Sequence, residues 1–159
     1  MSFSLVNGQN TTQQMDNATG KQTLRGMATV SFYATDIQAA KKWYSELLGI
    51  EPYFTRPNPE NPAYTEYRIG DYQHELGIID SRYAPKNATS GLGGEIVYWH
   101  VDDVTSTFEK LLAMGAKEYE PIINRGADFI TASVVDPFGN ILGIMNNPHY
   151  LEILELTKR

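Results

Sequence analysis

An internal repeat constrains this chain more than any other feature. Asp36 and Asp103 each open an amphipathic stretch and lie 67 positions apart, while two Leu-Gly-Ile triplets begin at Leu76 and Leu142, 66 positions apart. Self-similarity at this period, with like elements in like order, means two copies of one supersecondary unit. In each copy the order read from the residues is strand, helix, strand, strand, strand. Runs of strands with one helix per unit place the chain in the α+β class.

The first copy begins with Thr29-Val30-Ser31-Phe32-Tyr33-Ala34, where small or polar residues alternate with apolar ones as in a strand with two different faces. Thr35 or Asp36 then caps a helix, and Gln38 stands three residues after Thr35 as in a capping box. Ala40, Trp43, Tyr44, Leu47 and Leu48 recur at helical spacing, which predicts a core-facing stripe, and Gly49 supplies the left-handed stop. Strands are expected at 50–54, 64–69 and 74–79, the last two joined at Gly70-Asp71, with a loop at 56–62.

The second copy repeats this order. A strand is expected at 95–101, a cap at Asp102 or Asp103, a helix carrying Val104, Phe108, Leu111 and Leu112 that stops at Gly115, and strands at 117–123, 129–135 and 141–145. The last two strands flank Asp136-Pro137-Phe138-Gly139-Asn140, where Pro137 pre-sets φ and Gly139 and Asn140 tolerate left-handed conformations. Tyr150, Leu151, Ile153 and Leu154 then have the spacing of a terminal helix.

With 159 residues, 42% of them hydrophobic, one core is the expectation. The chain divides into a polar tail at 1–25 expected to be flexible, a domain at 26–147 made of modules 27–80 and 94–147, and a C-terminal helix at 148–159. Pro85, Gly91, Gly93 and Gly94 mark the linker between modules. A net charge of -6 without a run of Lys or Arg argues against nucleic acid or an anionic membrane as partner. The lack of cysteine excludes disulfides, thiolate metal sites and cysteine nucleophiles. Neither a basic, apolar leader nor a bilayer-length apolar run is visible, so a cytoplasmic protein is expected. The glycosylation patterns at Asn10, Asn17 and Asn87 are then chance matches.

Three passages carry a family likeness: Phe32-Tyr33-Ala34-Thr35-Asp36-Ile37 with Trp43-Tyr44 and Leu48-Gly49, His100-Val101-Asp102-Asp103-Val104 with Leu111 and Gly115-Ala116, and the hairpin 136–140. Together, over residues 27–147, they resemble the vicinal-oxygen-chelate superfamily, which includes glyoxalases, extradiol dioxygenases and bleomycin-binding resistance proteins. The resemblance implies two βαβββ modules forming a cupped mixed sheet, helices on the convex side, a ligand in the concave face, and pairing as a homodimer. In metal-dependent members, ligands stand at the start of each module's first strand and on its last strand. By the two repeat anchors those positions are Thr29, Gly77, Ile96 and Gly143. Thr29 offers one weak oxygen and the others no side-chain donor, so neither a metal nor a cofactor is expected.

A one-residue slip would move Val97, Trp99 and Val101 into the cup and press His100 against the helices. The unshifted register instead turns Val30, Phe32, Leu76, Ile78, Val97, Trp99, Leu142 and Ile144 toward the helices. It leaves Thr29, Ser31, Tyr33, Glu75, Ile79, Ile96, Tyr98, His100, Ile141 and Met145 as ligand-binding candidates in the cup. Gly77 and Gly143 would open its floor, unless the cup is filled by its own Tyr and Met side chains. His100 and Glu75 are weak candidates for an acid–base pair, a strand-rim histidine being more often structural. These residues lead to a metal-independent small-molecule binding protein that sequesters a drug or metabolite. The alternative is a metal-dependent lyase or dioxygenase with non-standard ligands such as Glu75 and His100. A structural partner domain with a closed cup is the third reading.

Overall fold

Apolar alternation at 29–34 produces the first strand of a unit that the chain builds twice. A computed structural model describes residues 27–84 and 96–158, and the elements run β1 (Thr29–Ala34), α1 (Ile37–Leu48), β2 (Phe54–Arg56), β3 (Tyr64–Ile69), β4 (His74–Asp80), β5 (Tyr98–His100), α2 (Val104–Ala113), β6 (Lys117–Gly126), β7 (Phe129–Val135), β8 (Ile141–Asn146) and α3 (Pro148–Thr157). The expected tail at 1–25 and residues 85–94 of the expected linker lie outside the described residues.

The strands form two four-stranded mixed sheets with the same order, β1-β4-β3-β2 and β5-β8-β7-β6. In each, the first strand runs parallel to the last and the rest are antiparallel: Thr29 pairs with Glu75 and Ser31 with Gly77, while Tyr98 pairs with Gly143 and His100 with Met145. The βαβββ units inferred from the repeat are therefore present. Their register is the unshifted one, for Phe32, Leu76, Ile78, Leu142 and Ile144 are buried in the core and Val30 and Trp99 pack on it.

Both helices start where the repeat aspartates stand. Asp36 accepts the Ala39 N–H at 3.0 Å and Asp103 accepts the Ser106 N–H at 3.0 Å, each meeting one orphan donor of the first turn. The capping box expected at Gln38 does not form: its amide reaches instead to the Pro59 and Glu60 carbonyls, at 3.2 and 2.7 Å, and fastens the long loop to α1. β2 also begins later than expected, at Phe54. Ile50, which the 50–54 pattern counted as strand, is exposed after the left-handed Gly49. Asn147 caps α3 through the His149 and Tyr150 amides, with Pro148 in its first turn.

The two units share one buried core and are joined by hydrogen bonds and ring contacts. Tyr44 on α1 donates to Asp136 at 2.5 Å, the Trp43 indole donates to the Met114 carbonyl at 2.8 Å, and Phe138 stands against both rings, with centroids 6.1 Å from Trp43 and 6.4 Å from Tyr44. Asn140 adds a bracket on the free edge of β1: its side-chain oxygen accepts the Tyr33 N–H and its amide donates to the Tyr33 carbonyl, both at 3.1 Å. Asp136 is 3% exposed and is satisfied by Tyr44, the Phe138 and Asn140 amides and the Asn140 side chain.

Burial, and then the Asp136 carboxylate, raise the Tyr44 pKa well above 10.0. The protonated form is favoured in the folded chain. This contribution is therefore present below about pH 10, where an unfolded tyrosine ionises, and is lost as pH rises toward the folded value. Tyr44→Phe is expected to cost about 1–3 kcal/mol at neutral pH, by leaving a buried acceptor short of a donor, and to flatten the loss of stability above pH 10. Urea unfolding at a series of pH values checks both; an unchanged alkaline limb would show that Tyr44 does not carry it.

Candidate functional site

The face of each sheet turned away from its helix carries the residues expected in the cup. In the first unit β1 and β4 place Thr29, Ser31, Tyr33, Glu75 and Ile79 there, and β3 adds Tyr64, Glu66 and Arg68 by register. Thr29, Glu75, Tyr64, Glu66 and Arg68 are paired with one another or with Tyr53. Thr29 donates to Glu75 at 2.6 Å, Arg68 pairs with Glu75 at 2.7 Å and lies 5.0 Å over the Tyr53 ring, and the Tyr53 and Tyr64 hydroxyls both donate to Glu66. Burial and then the Glu75 charge push the Glu66 carboxyl up, and the same two causes raise Tyr64.

The second unit places Ile96, Tyr98, His100, Ile141 and Met145 on its corresponding side. Tyr98 reaches Glu120 at 3.4 Å, and Arg125 bridges Glu120 and Thr131 at 3.0 and 3.1 Å. Burial, with Glu120 next, pushes the Tyr98 hydroxyl up. Glu75 and His100 do not bond to each other. Glu75 is held by Thr29 and Arg68, whereas His100 accepts the Asn147 N–H on Nδ1 at 3.1 Å and stacks on Tyr150 at 4.7 Å. That acceptor role puts the proton on Nε2, which is buried and meets no partner among the described residues.

The space beside Gly77 and Gly143, expected to open the cup floor unless the chain's own side chains fill it, is taken by neighbouring groups. A Cβ at position 77 would stand 2.7 Å from the Tyr64 hydroxyl oxygen; at position 143 it would stand 2.7 Å from Tyr98 Cδ1, 2.8 Å from Ile96 Cγ2 and 2.9 Å from the Val97 carbonyl oxygen. Each glycine is the space a neighbouring side chain lies in. The donor set at the four family positions thus consists of one threonine hydroxyl already bonded to Glu75, and it does not fit a divalent ion. Among the described residues no group of three or more His, Cys, Asp or Glu side chains could hold a metal.

Space also lies between the units. A cavity of about 510 Å³ is walled by Leu47, Leu48 and Leu76 of the first unit, by Ile69, Gly70 and His74 of its β3–β4 hairpin, and by Val97 to Val101, Lys110, Leu111, Leu142, Ile144 and Met145 of the second, with Tyr150 at one side. This size and apolar lining are those of a small-molecule pocket. Of the ten expected ligand-binding residues, Tyr98, His100 and Met145 line it, while Thr29, Ser31, Tyr33, Glu75, Ile79, Ile96 and Ile141 do not. Tyr150, which donates to Asp71 at 3.0 Å, has its pKa pushed up to about 12, chiefly by burial and then by that bond. Sequence reasoning missed the cavity because Leu47, Leu48, Leu76 and Ile144 have the spacing of ordinary core residues.

Fold, repeat and motifs agree with a direct comparison. The chain belongs to the Glyoxalase/Bleomycin resistance protein/Dioxygenase superfamily, whose family model matches residues 26–144. Solved structures of similar fold include a glyoxalase-related enzyme from Fulvimarina pelagi, at 23% identity and a TM-score of 0.62 over 79% of this chain and 90% of that one. TioX from Micromonospora sp. ML1 is 18% identical, with a TM-score of 0.58 over 76% of this chain and 98% of its own. A superfamily member from Sphaerobacter thermophilus is 15% identical, with a TM-score of 0.62 over 79% of this chain and all of its own. Identities this low establish the fold alone. No curated protein matches the chain.

Gly143→Ala is expected to cost about 1–3 kcal/mol, since its Cβ meets a backbone carbonyl that cannot move aside, and Gly77→Ala less, since the end of the Tyr64 side chain can swing. Urea midpoints of the two variants decide this, and equal losses would show that the Tyr64 ring is as fixed as the backbone.

Proposed function

We propose that this chain is a small-molecule binding protein of its superfamily that works without a metal ion at the family's usual positions, and that it sequesters a drug-like compound or metabolite. The observation that carries this reading is the pair of glycines at 77 and 143, each covered by an aromatic side chain of the chain itself where a ligating carboxylate or imidazole would otherwise project. A second support is the apolar cavity of about 510 Å³, large enough to enclose a compound of drug or metabolite size. The cup faces supply tyrosine, glutamate and arginine groups that satisfy one another. Such a face is better suited to shape and hydrogen-bond recognition than to binding a cation.

Pairing of two chains belongs to this reading as well, and α3 offers exposed Leu151, Ile153 and Leu156 for it. No helix among the described residues is long and apolar enough to cross a membrane.

Elemental analysis of the purified protein is expected to find no stoichiometric Zn, Ni, Mn or Fe, and adding these ions should leave the melting temperature unchanged. Native mass spectrometry is expected to show a co-purified organic adduct that denaturation releases. One tightly held metal per chain, raising the melting temperature by mass action, would overturn the proposal and favour a metal-dependent enzyme.

A further inference from the structure

The cavity has a counterpart in the other half of the molecule, and there the equivalent space is closed. At the repeat offsets of 67 and 66, Trp43 and Tyr44 correspond to Lys110 and Leu111, Asp136 to Gly70, Phe138 to Tyr72, Asn140 to His74 and Tyr33 to His100. In the closed half the Phe138 ring packs on Trp43 and Tyr44, and the Asn140 carboxamide brackets the N–H and C=O that Tyr33 presents on the free edge of β1. The open half lacks both parts. Tyr72 is turned away, stacked on His74 at 5.7 Å and edge-on to Tyr150 at 5.5 Å. His74 carries no carboxamide and makes no bond to His100 among the described residues.

β5 is an edge strand with only β8 beside it, to which Val97 and Val101 bond through their backbones. By the alternation of a parallel ladder, the backbone N–H and C=O of His100 face the free edge, as those of Tyr33 do on β1. That edge borders the cavity, and an aromatic ring and a carboxamide are what the closed half places in the equivalent space.

We propose that the cavity between the units binds a flat aromatic molecule bearing a carboxamide or lactam edge, its ring against Leu111, Trp99 and Tyr150 and its amide across the N–H and C=O of His100. This rests on the small-molecule reading above and gives that reading a place and a ligand class. The ring takes the part of Phe138 and the amide the part of Asn140. A donor and acceptor side by side select for an amide, since an analogue without the N–H leaves a desolvated carbonyl unpaired.

The probe is 2-naphthamide, followed by isothermal titration and by NMR of Ile, Leu and Met methyl groups. Saturable binding at one per chain is expected, with shifts at Leu47, Leu48, Leu76, Leu111, Leu142, Ile144 and Met145, and with methyl 2-naphthoate weaker by about tenfold. His74→Asn puts a carboxamide at the position of Asn140 from an exposed site, where it competes for the His100 edge, so it is expected to keep the fold, checked by circular dichroism, and to abolish binding. Equal affinity for the ester, full binding by His74→Asn, or no saturable binding would each overturn the proposal. Shifts at Ile79 and Ile141 instead would overturn it while leaving the small-molecule reading intact, because the compound would then lie in the cups. Stoichiometric metal would sink that reading independently.

Discussion

The buried carboxylate of Asp136 is the interaction on which the rest of the arrangement depends. A charge taken out of water must be fully hydrogen-bonded or it destabilises the fold. Here the Tyr44 hydroxyl supplies a donor from the first unit, and the turn's own amides and the Asn140 side chain supply the others. One side chain thereby shapes its own hairpin and ties it to the helix of the other unit. Because the extensive packing of each sheet and helix is internal to its unit, such cross-unit ties set how the two halves stand together.

The buried-carboxylate tie exists on one side only; on the other, Lys110 Nζ donates to the Leu47 carbonyl at 3.1 Å and Tyr150 to Asp71 at 3.0 Å. Where the hairpin of the second unit carries Asp136, Phe138 and Asn140, that of the first carries Gly70, Tyr72 and His74, with no carboxylate to bury and no carboxamide to reach a strand edge. Duplicated scaffolds are expected to fill equivalent spaces equivalently; here the substitutions leave one closed and aromatic, the other open and lined by leucines, isoleucine and Trp99. The two halves thus differ in this space although they share one fold, on a scaffold that hosts several chemistries.

Much of the fold was legible because local rules and the repeat agreed. Asp36 and Asp103 cap helices, Gly49 and Gly115 end them with positive φ, and the strands at 64–69 and 129–135 begin and end as the alternation implied. Errors arose where a nearby partner outbid a local pattern. Gln38 left its capping box for the carbonyls of a loop more than twenty residues away, and Ile50, apolar but following a left-handed glycine, stayed outside β2. The ligand-binding candidates rested on strand parity, which assigns a side chain to a face and does not say whether that face is open. Tyr64 and Tyr98 lie against the two glycines, a contact that parity alone does not reveal.

The sequence by itself determined the two units and their register, for these depend on periodicity and residue type along the chain; that the four family positions carry no ligating set followed from the resemblance. Only the tertiary structure decided where space remains. Whether an edge is bracketed or a gap is filled depends on side chains from the other unit, about a hundred residues away, as in Tyr33 with Asn140. A period read along the chain carries no information about that distance. Once the units are docked, the same offsets show which half of the duplicated interface closed and which stayed open.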